Sequence, residues 1–220
     1  MSITPDSVKA LLDSDDFGDR LRGVNQLRQL DPALAFTLIQ PAVIDRNVRV
    51  RYAAVSQLSS LGKQDLDRAL TLLRAALLDP EIDVQAAAAD SIGALKLTAA
   101  FDELTQLYHR TPEWIVKFSI LATLGEFGDP RCFDLLATAL GEDNELMKMA
   151  AIGSLGELGD PRAIPLLIPY ATDADWQVRH RIVQALSYYA DPAARSTLQQ
   201  LTQDQTEAVA TQAQAALQAQ

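Results

Sequence analysis

The sequence predicts an all-α fold, an α-solenoid of about seven helical hairpins with a 31-residue period. Three observations predict it. The stretch "LGELGDPRAIPLL" at 155–167 repeats "LGEFGDPRCFDLL" at 124–136, with nine of thirteen positions identical. Segments that align on Asp19, Val50, Val84, Val116, Met147, Val178 and Val209 recur at steps of 31, 34, 32, 31, 31 and 31 residues. From each anchor, apolar or small residues return four, eight and eleven positions on, as in Val50, Ala54, Leu58 and Leu61, which is one face of a helix.

The elements follow in order. Residues 1–13 are expected to form an N-terminal cap, 14–203 the repeats and 204–220 a C-terminal capping helix, all within one array spanning 1–220. Shorter amphipathic stretches such as "CFDLLATAL" and "AIPLLIPYA" lie between the anchored helices. Each period thus holds two helices of about 10–12 residues and two tight turns. Thr98 to Tyr108, preceded by "LKLTAAF", is the longest departure from the pattern. At the joints, Gly128 and Gly159 fall where a helix end favours a left-handed residue. Asp129 and Asp160 are placed to cap the next helix, with Pro130 and Pro161 in its first turn, and Asp31-Pro32 and Asp191-Pro192 read alike. An acid six residues before a base recurs in Asp45/Arg51, Glu142/Lys148 and Asp173/Arg179, while Asp79 faces Gln85 and Thr111 faces Lys117. This register predicts a ladder of charge-assisted hydrogen bonds between repeats.

Composition narrows the function. A formal charge of −10 on 220 residues disfavours nucleic acid and anionic membranes as partners. No apolar run approaches the roughly 18 residues of a membrane span. Met1 to Lys9 is polar and does not read as a signal peptide, so a cytoplasmic protein is expected. Cys132 is the single cysteine, which excludes an internal disulfide, and it fills the slot of Ala163 one repeat later, so a packed thiol is expected. His109 and His180 stand in no metal-ligand spacing, and no metal site is expected. No phosphate-binding glycine loop and no nucleophile–base pair emerges, so the catalytic residues stay unassigned.

The remaining place for a site is the open side of the anchored helices. Two positions after the anchors stand Leu21, Tyr52, Ala86, Phe118, Met149 and His180; six after stand Asn25, Ser56, Asp90, Ala122, Gly153 and Gln184. Nine after stand Arg28, Ser59, Gly93, Gly125, Gly156 and Ser187, with Glu126, Glu157 and Tyr188 one place further on. Aligned glycines inside helices have two readings: close packing between neighbouring helices, or a smooth trough against which a flat ligand lies. Trp114 and Trp176, each two residues before an anchor, read as inter-repeat packing rather than ligand walls.

The units "NVRVRYAAVSQL", "DVQAAAADSIGALKLT" and "LGELGDPRAIPLL" resemble HEAT repeats of the short subtype found in cyanobacterial phycobilin lyases, over residues 14 to 217. The whole-chain pattern is similar to members of that family that act in phycobilisome degradation. The resemblance implies a possible phycocyanobilin ligand that is not covalently bound, and phycobiliproteins, phycocyanin or allophycocyanin subunits, as partners. It implies ring cover from Tyr52, Phe118 and Met149, in line with His180, carboxylates from Asp90, Glu126 and Glu157, and a trough floor at Gly125 and Gly156 with Tyr188 on its rim. Arg46, Arg49, Arg51, Arg179 and Arg181 are the cations implied for propionates and for an acidic partner. The alternatives are a HEAT-repeat adaptor that binds only proteins, and a lyase that attaches the bilin.

Overall fold

The computed structural model describes residues 3–219. Among the described residues there is no strand, and fourteen α-helices run as seven hairpins. The first helices are α1 (Pro5–Leu12), α3 (Pro32–Ile39), α5 (Leu66–Ala76), α7 (Phe101–Arg110), α9 (Phe133–Leu140), α11 (Ile164–Leu167) and α13 (Pro192–Leu201). Their partners are α2 (Phe17–Gln26), α4 (Val48–Leu61), α6 (Ile82–Ala94), α8 (Trp114–Phe127), α10 (Glu145–Leu158), α12 (Trp176–Leu186) and α14 (Glu207–Ala219). Every anchor falls in a second helix, and from Val50 onward every anchor is buried. The stretches expected to cap the array, 1–13 and 204–220, carry α1 and α14, which are halves of the first and last hairpins. Two compact units result, one ending at Ile120 and the other beginning at Leu121, inside α8. In the first, α4 packs between α2 and α6; in the second, α12 packs between α10 and α14.

The corners form for the reasons the sequence gives. Asp31, Asp65, Asp129, Asp160 and Asp191 accept backbone N–H groups at the starts of the first helices. Proline follows four of them, where its missing donor costs nothing. Gly128 (φ 63°) and Gly159 (φ 69°) take the left-handed conformation. In both repeated phrases the arginine folds back onto the capping aspartate, Arg131 Nη2 at 2.7 Å from Asp129 and Arg162 Nη2 at 2.6 Å from Asp160. These hydrogen bonds hold both aspartates below the ordinary carboxylate pKa. Arg162 also lies over the ring of Phe133, 4.1 Å from its centroid. The corner after α6 has no glycine. There Lys96 adopts φ 51°, its N–H donates to Gly93 at 2.7 Å, and the Leu97 N–H donates to Ile92 at 3.0 Å.

The charge ladder exists, with a different pairing. In the first unit Arg20 bonds both oxygens of Asp45 (2.6 and 2.9 Å), and Arg51 both oxygens of Asp79 (2.7 and 3.0 Å). In the second, Arg179 grips Asp204 in the same way (2.7 and 2.9 Å). The acid six residues earlier supplies its backbone carbonyl instead: Asp45 to Arg51 at 2.9 Å, Asp173 to Arg179 at 2.8 Å. Gln85 keeps only that half of the motif, donating to the Asp79 carbonyl at 2.7 Å. Lysines do not copy the fork: Lys117 sits over the Tyr108 ring and Lys148 pairs with Glu145 at 2.8 Å. Cys132 is fully buried, and burial, followed by the charge of Asp129, pushes its thiol up to about 12.

Candidate functional site

In the first unit the open sides of α2, α4, α6 and α8 enclose a hollow of about 680 Å³. That size lies within the range of small-molecule sites. Ala53, Ala86 and Ala87 supply small side chains to its lining, and Leu21, Val48 and Ile115 add apolar wall. Tyr52 is half exposed and contributes a ring. The polar groups are few: Arg49, Asp83, Asp90 and Ser119. Asp90 remains open to water, yet the surrounding protein raises its pKa by desolvation, opposed by a hydrogen bond from the Ser119 hydroxyl. A carboxylate beside apolar surface, with an arginine also in the lining, can accept ligand N–H groups while the guanidinium takes an anion.

The hollow therefore unites Tyr52, Asp90 and Arg49 from the expected set. Phe118 is exposed on the same turn as Ser119 but is not among the lining residues. Six lining residues escaped the helical-wheel reading: Val48, Asp83 and Ile115, one or two positions before their anchors, and Ala53, Ala87 and Ser119, each three positions after its anchor. A residue in that column faces the residue six after the preceding anchor, as Ser119 faces Asp90.

The second unit holds the other expected residues, and two of them change meaning. A Cβ on Gly125 would stand 2.7 Å from Ser154 Cα, and one on Gly156 would stand 2.6 Å from Ala185 Cα. These glycines are buried where second helices touch backbone to backbone, so they are packing contacts and not the floor of a trough. Glu126, Glu157 and Tyr188 are exposed, and Met149 and His180 are half-buried. The ring of His180 meets Trp176 edge-on at 6.3 Å. Trp114 and Trp176 are 51% and 44% exposed, so neither is the packed inter-repeat residue expected. Among the expected cations, Arg51 and Arg179 are spent in the ladder; Arg179 is only 5% exposed. Arg46 is exposed and donates to the Asp15 carbonyl at 2.6 Å, Arg49 is exposed, and Arg181 is half-buried. Among the described residues no group of three His, Cys, Asp or Glu could hold a metal ion, and no helix is long and apolar enough to cross a membrane.

The family described as HEAT repeats matches residues 71–153, 101–173 and 141–218. The chain belongs to the HEAT-repeat family. A second description, PBS lyase HEAT-like repeat, matches residues 50–79, which carry Tyr52 and the Arg51–Asp79 rung. No curated protein matches the sequence. Among solved structures, that of the complex of CpcE and CpcF of phycocyanin lyase from Nostoc sp. PCC7120 is similar with a TM-score of 0.65 and 20% identity, over 100% of this chain and 95% of that one. YibA of E. coli is similar at TM-score 0.63 and 18% identity, covering 98% of this chain and 82% of that one. An archaeal HEAT-like repeats protein from Thermococcus onnurineus NA1 follows at 0.59 and 13%, over 99% and 97%. At these identities the likeness is one of fold, a HEAT-repeat array throughout.

Proposed function

We propose that this HEAT-repeat protein binds a bilin and a phycobiliprotein and acts in phycobilisome degradation or chromophore detachment, in the manner of the phycobilisome degradation protein NblB. The observation that carries the pigment half is the hollow of the first unit. Its small-residue lining suits a flat ring system, Tyr52 gives ring cover, Asp90 offers a carboxylate to pyrrole N–H groups, and Arg49 is the cation for a propionate. Support for the partner half comes from the PBS lyase HEAT-like match and from the phycocyanin lyase named in the similar structure. Phycocyanin or allophycocyanin subunits are the partners proposed, in the cytoplasm, with phycocyanobilin bound without a covalent link.

No nucleophile is needed from this chain, because the thiol of a chromophore linkage belongs to the partner. Holding the pigment in one geometry is itself a catalytic contribution. Attachment of a bilin, the lyase reading, would use the same hollow in the opposite direction. The adaptor reading has one observation in its favour: Ile44 and Leu78, on corresponding turns of the first unit, are 77% and 69% exposed.

An absorbance titration with free phycocyanobilin tests the pigment half. The expected result is a saturable red shift that is lost in Ala86→Leu, which fills the hollow, and retained in Ile44→Ser. No spectral change in the native chain, or an unchanged one in Ala86→Leu, would sink it. In that outcome, capture of phycocyanin that depends on Ile44 and Leu78 would favour the adaptor.

A further inference from the structure

The first residue of each second helix in the first unit is large and apolar: Phe17 in α2, Val48 in α4, Ile82 in α6 and Trp114 in α8, each two positions before its anchor. These helices stack side by side, α2 on α4 and α4 on α6, and Ser119 of α8 reaches Asp90 of α6. Their starts therefore form a row along the edge where the hairpins turn. Phe17, Ile82 and Trp114 are exposed, and Val48 is half-buried. A single exposed apolar side chain is ordinary, but four in register on neighbouring helices make a band that the fold itself leaves uncovered.

The band is acidic at its borders. Asp16, Glu81 and Glu113 stand immediately before Phe17, Ile82 and Trp114, and Asp83 follows Ile82, against Arg46 and Arg49 on either side of Val48. Arg46 is already turned to Asp15, donating to its carbonyl at 2.6 Å. Glu81 holds the N-cap position of α6 without a side-chain cap bond. The helix dipole favours acids at these starts, but it does not call for exposed Phe, Ile and Trp beside them. Spacing decides the shape of what covers the band. Packed helices lie about 8–10 Å apart. Seven residues of an α-helix advance about 10.5 Å and return to one face, whereas same-face residues of a strand recur at about 6.8 or 13.6 Å.

We infer that this edge of the first unit docks an amphipathic helix of a protein partner, with an apolar residue at every seventh position and lysine or arginine beside it. The basic side chains answer Asp16, Glu81, Asp83 and Glu113, and Trp114 provides a large anchor at one end of the row. A helix of about 22 residues spans all four contacts. Phe17, Ile82 and Trp114 are not among the residues lining the hollow, so the docking stands apart from the pigment reading. Ile44 and Leu78 belong to a different register position, four residues earlier.

The test uses a helical peptide of about 22 residues, with leucine at every seventh position in an alanine and lysine background. The sequence has two tryptophans, so Trp176→Phe leaves Trp114 as the one indole of the chain. In that background the peptide is expected to give a saturable blue shift of Trp114 emission that weakens as salt is raised. Ile82→Ser, on the neighbouring helix, should weaken binding by about tenfold, and Phe17→Ser serves the same purpose should that variant fail to fold. Two control peptides should each bind at least about tenfold more weakly: one with glutamate in place of lysine, and one of the same composition with its leucines moved off the seven-residue spacing. Equal binding of either control, no shift with the lysine peptide, or binding untouched in the folded serine variants would overturn the inference.

Discussion

Arg51 and Asp79, 28 residues apart, form a two-point ion pair that fastens one repeat to the next, while Arg51 also holds the Asp45 carbonyl of its own repeat. Both side chains are largely buried, so the pair is a rung between hairpins and not surface charge. Removing one partner leaves a buried charge alone. Arg51→Ala is therefore expected to lower unfolding free energy by about 3 kcal/mol, measured by urea denaturation at neutral pH. Arg51→Lys should recover only part of this, because an ammonium cannot span the three acceptors.

The ladder also sets the response to acid. Asp204 has its pKa lowered from 3.8, first by the hydrogen bond from Arg179, and Asp45 is lowered because Arg20 and the Asn47 N–H outweigh the effect of burial. A carboxylate with a depressed folded pKa stabilises above its unfolded value and loses that contribution as pH falls through the folded one. Denaturation midpoints should hold steady above about pH 5 and fall below about pH 4. In Asp204→Asn the midpoint at neutral pH should be lower and the acid decline shallower.

Asp90 has the opposite sign. Its raised pKa means that the folded state resists ionising it, so stability is lost as pH rises from the unfolded value near 3.8 through the folded one. Asp90→Asn is expected to raise the melting temperature slightly at pH 7 and to give no gain at pH 3. The gain is small because the side chain is open to water. The same variant should weaken phycocyanobilin binding, a stability gain joined to a loss of function.

Three backbone positions give contrasting outcomes. Gly125→Ala and Gly156→Ala gain helix propensity of about 0.5–1 kcal/mol but drive a Cβ into the neighbouring helix backbone. Overpacking of this kind costs about 1–3 kcal/mol, so both variants should be destabilised. Lys96→Gly should instead stabilise by about 1 kcal/mol, since it relieves a left-handed lysine at the end of α6. Thermal melts of the three variants check the signs.

Much of this was legible in the sequence. The anchors from Val50 onward are buried core, the DP corners cap helices, and Gly128 and Gly159 are left-handed, because each rests on local chemistry that repeats. The ladder was legible in its residues but not in its pairing. Asp45 and Arg51 are neighbours in sequence, yet the turn presents the Asp45 carbonyl to Arg51 and turns its carboxylate toward Arg20. Gly125 and Gly156 were ambiguous for a similar reason: a helical wheel does not tell an open face from a face covered by the next repeat. Ser119 was missed because its column looks uninformative in the neighbouring repeats, where it is alanine at Ala53, Ala87 and Ala150.

The proposed function stands on a pigment occupying the hollow of the first unit. A crystal structure of the chain soaked with phycocyanobilin tests it most directly. The tetrapyrrole is expected between Tyr52 and the small residues Ala53, Ala86 and Ala87, with a pyrrole N–H donating to Asp90 and a propionate at Arg49. A hollow left empty in crystals exposed to saturating pigment, or pigment bound elsewhere on the chain, would contradict it.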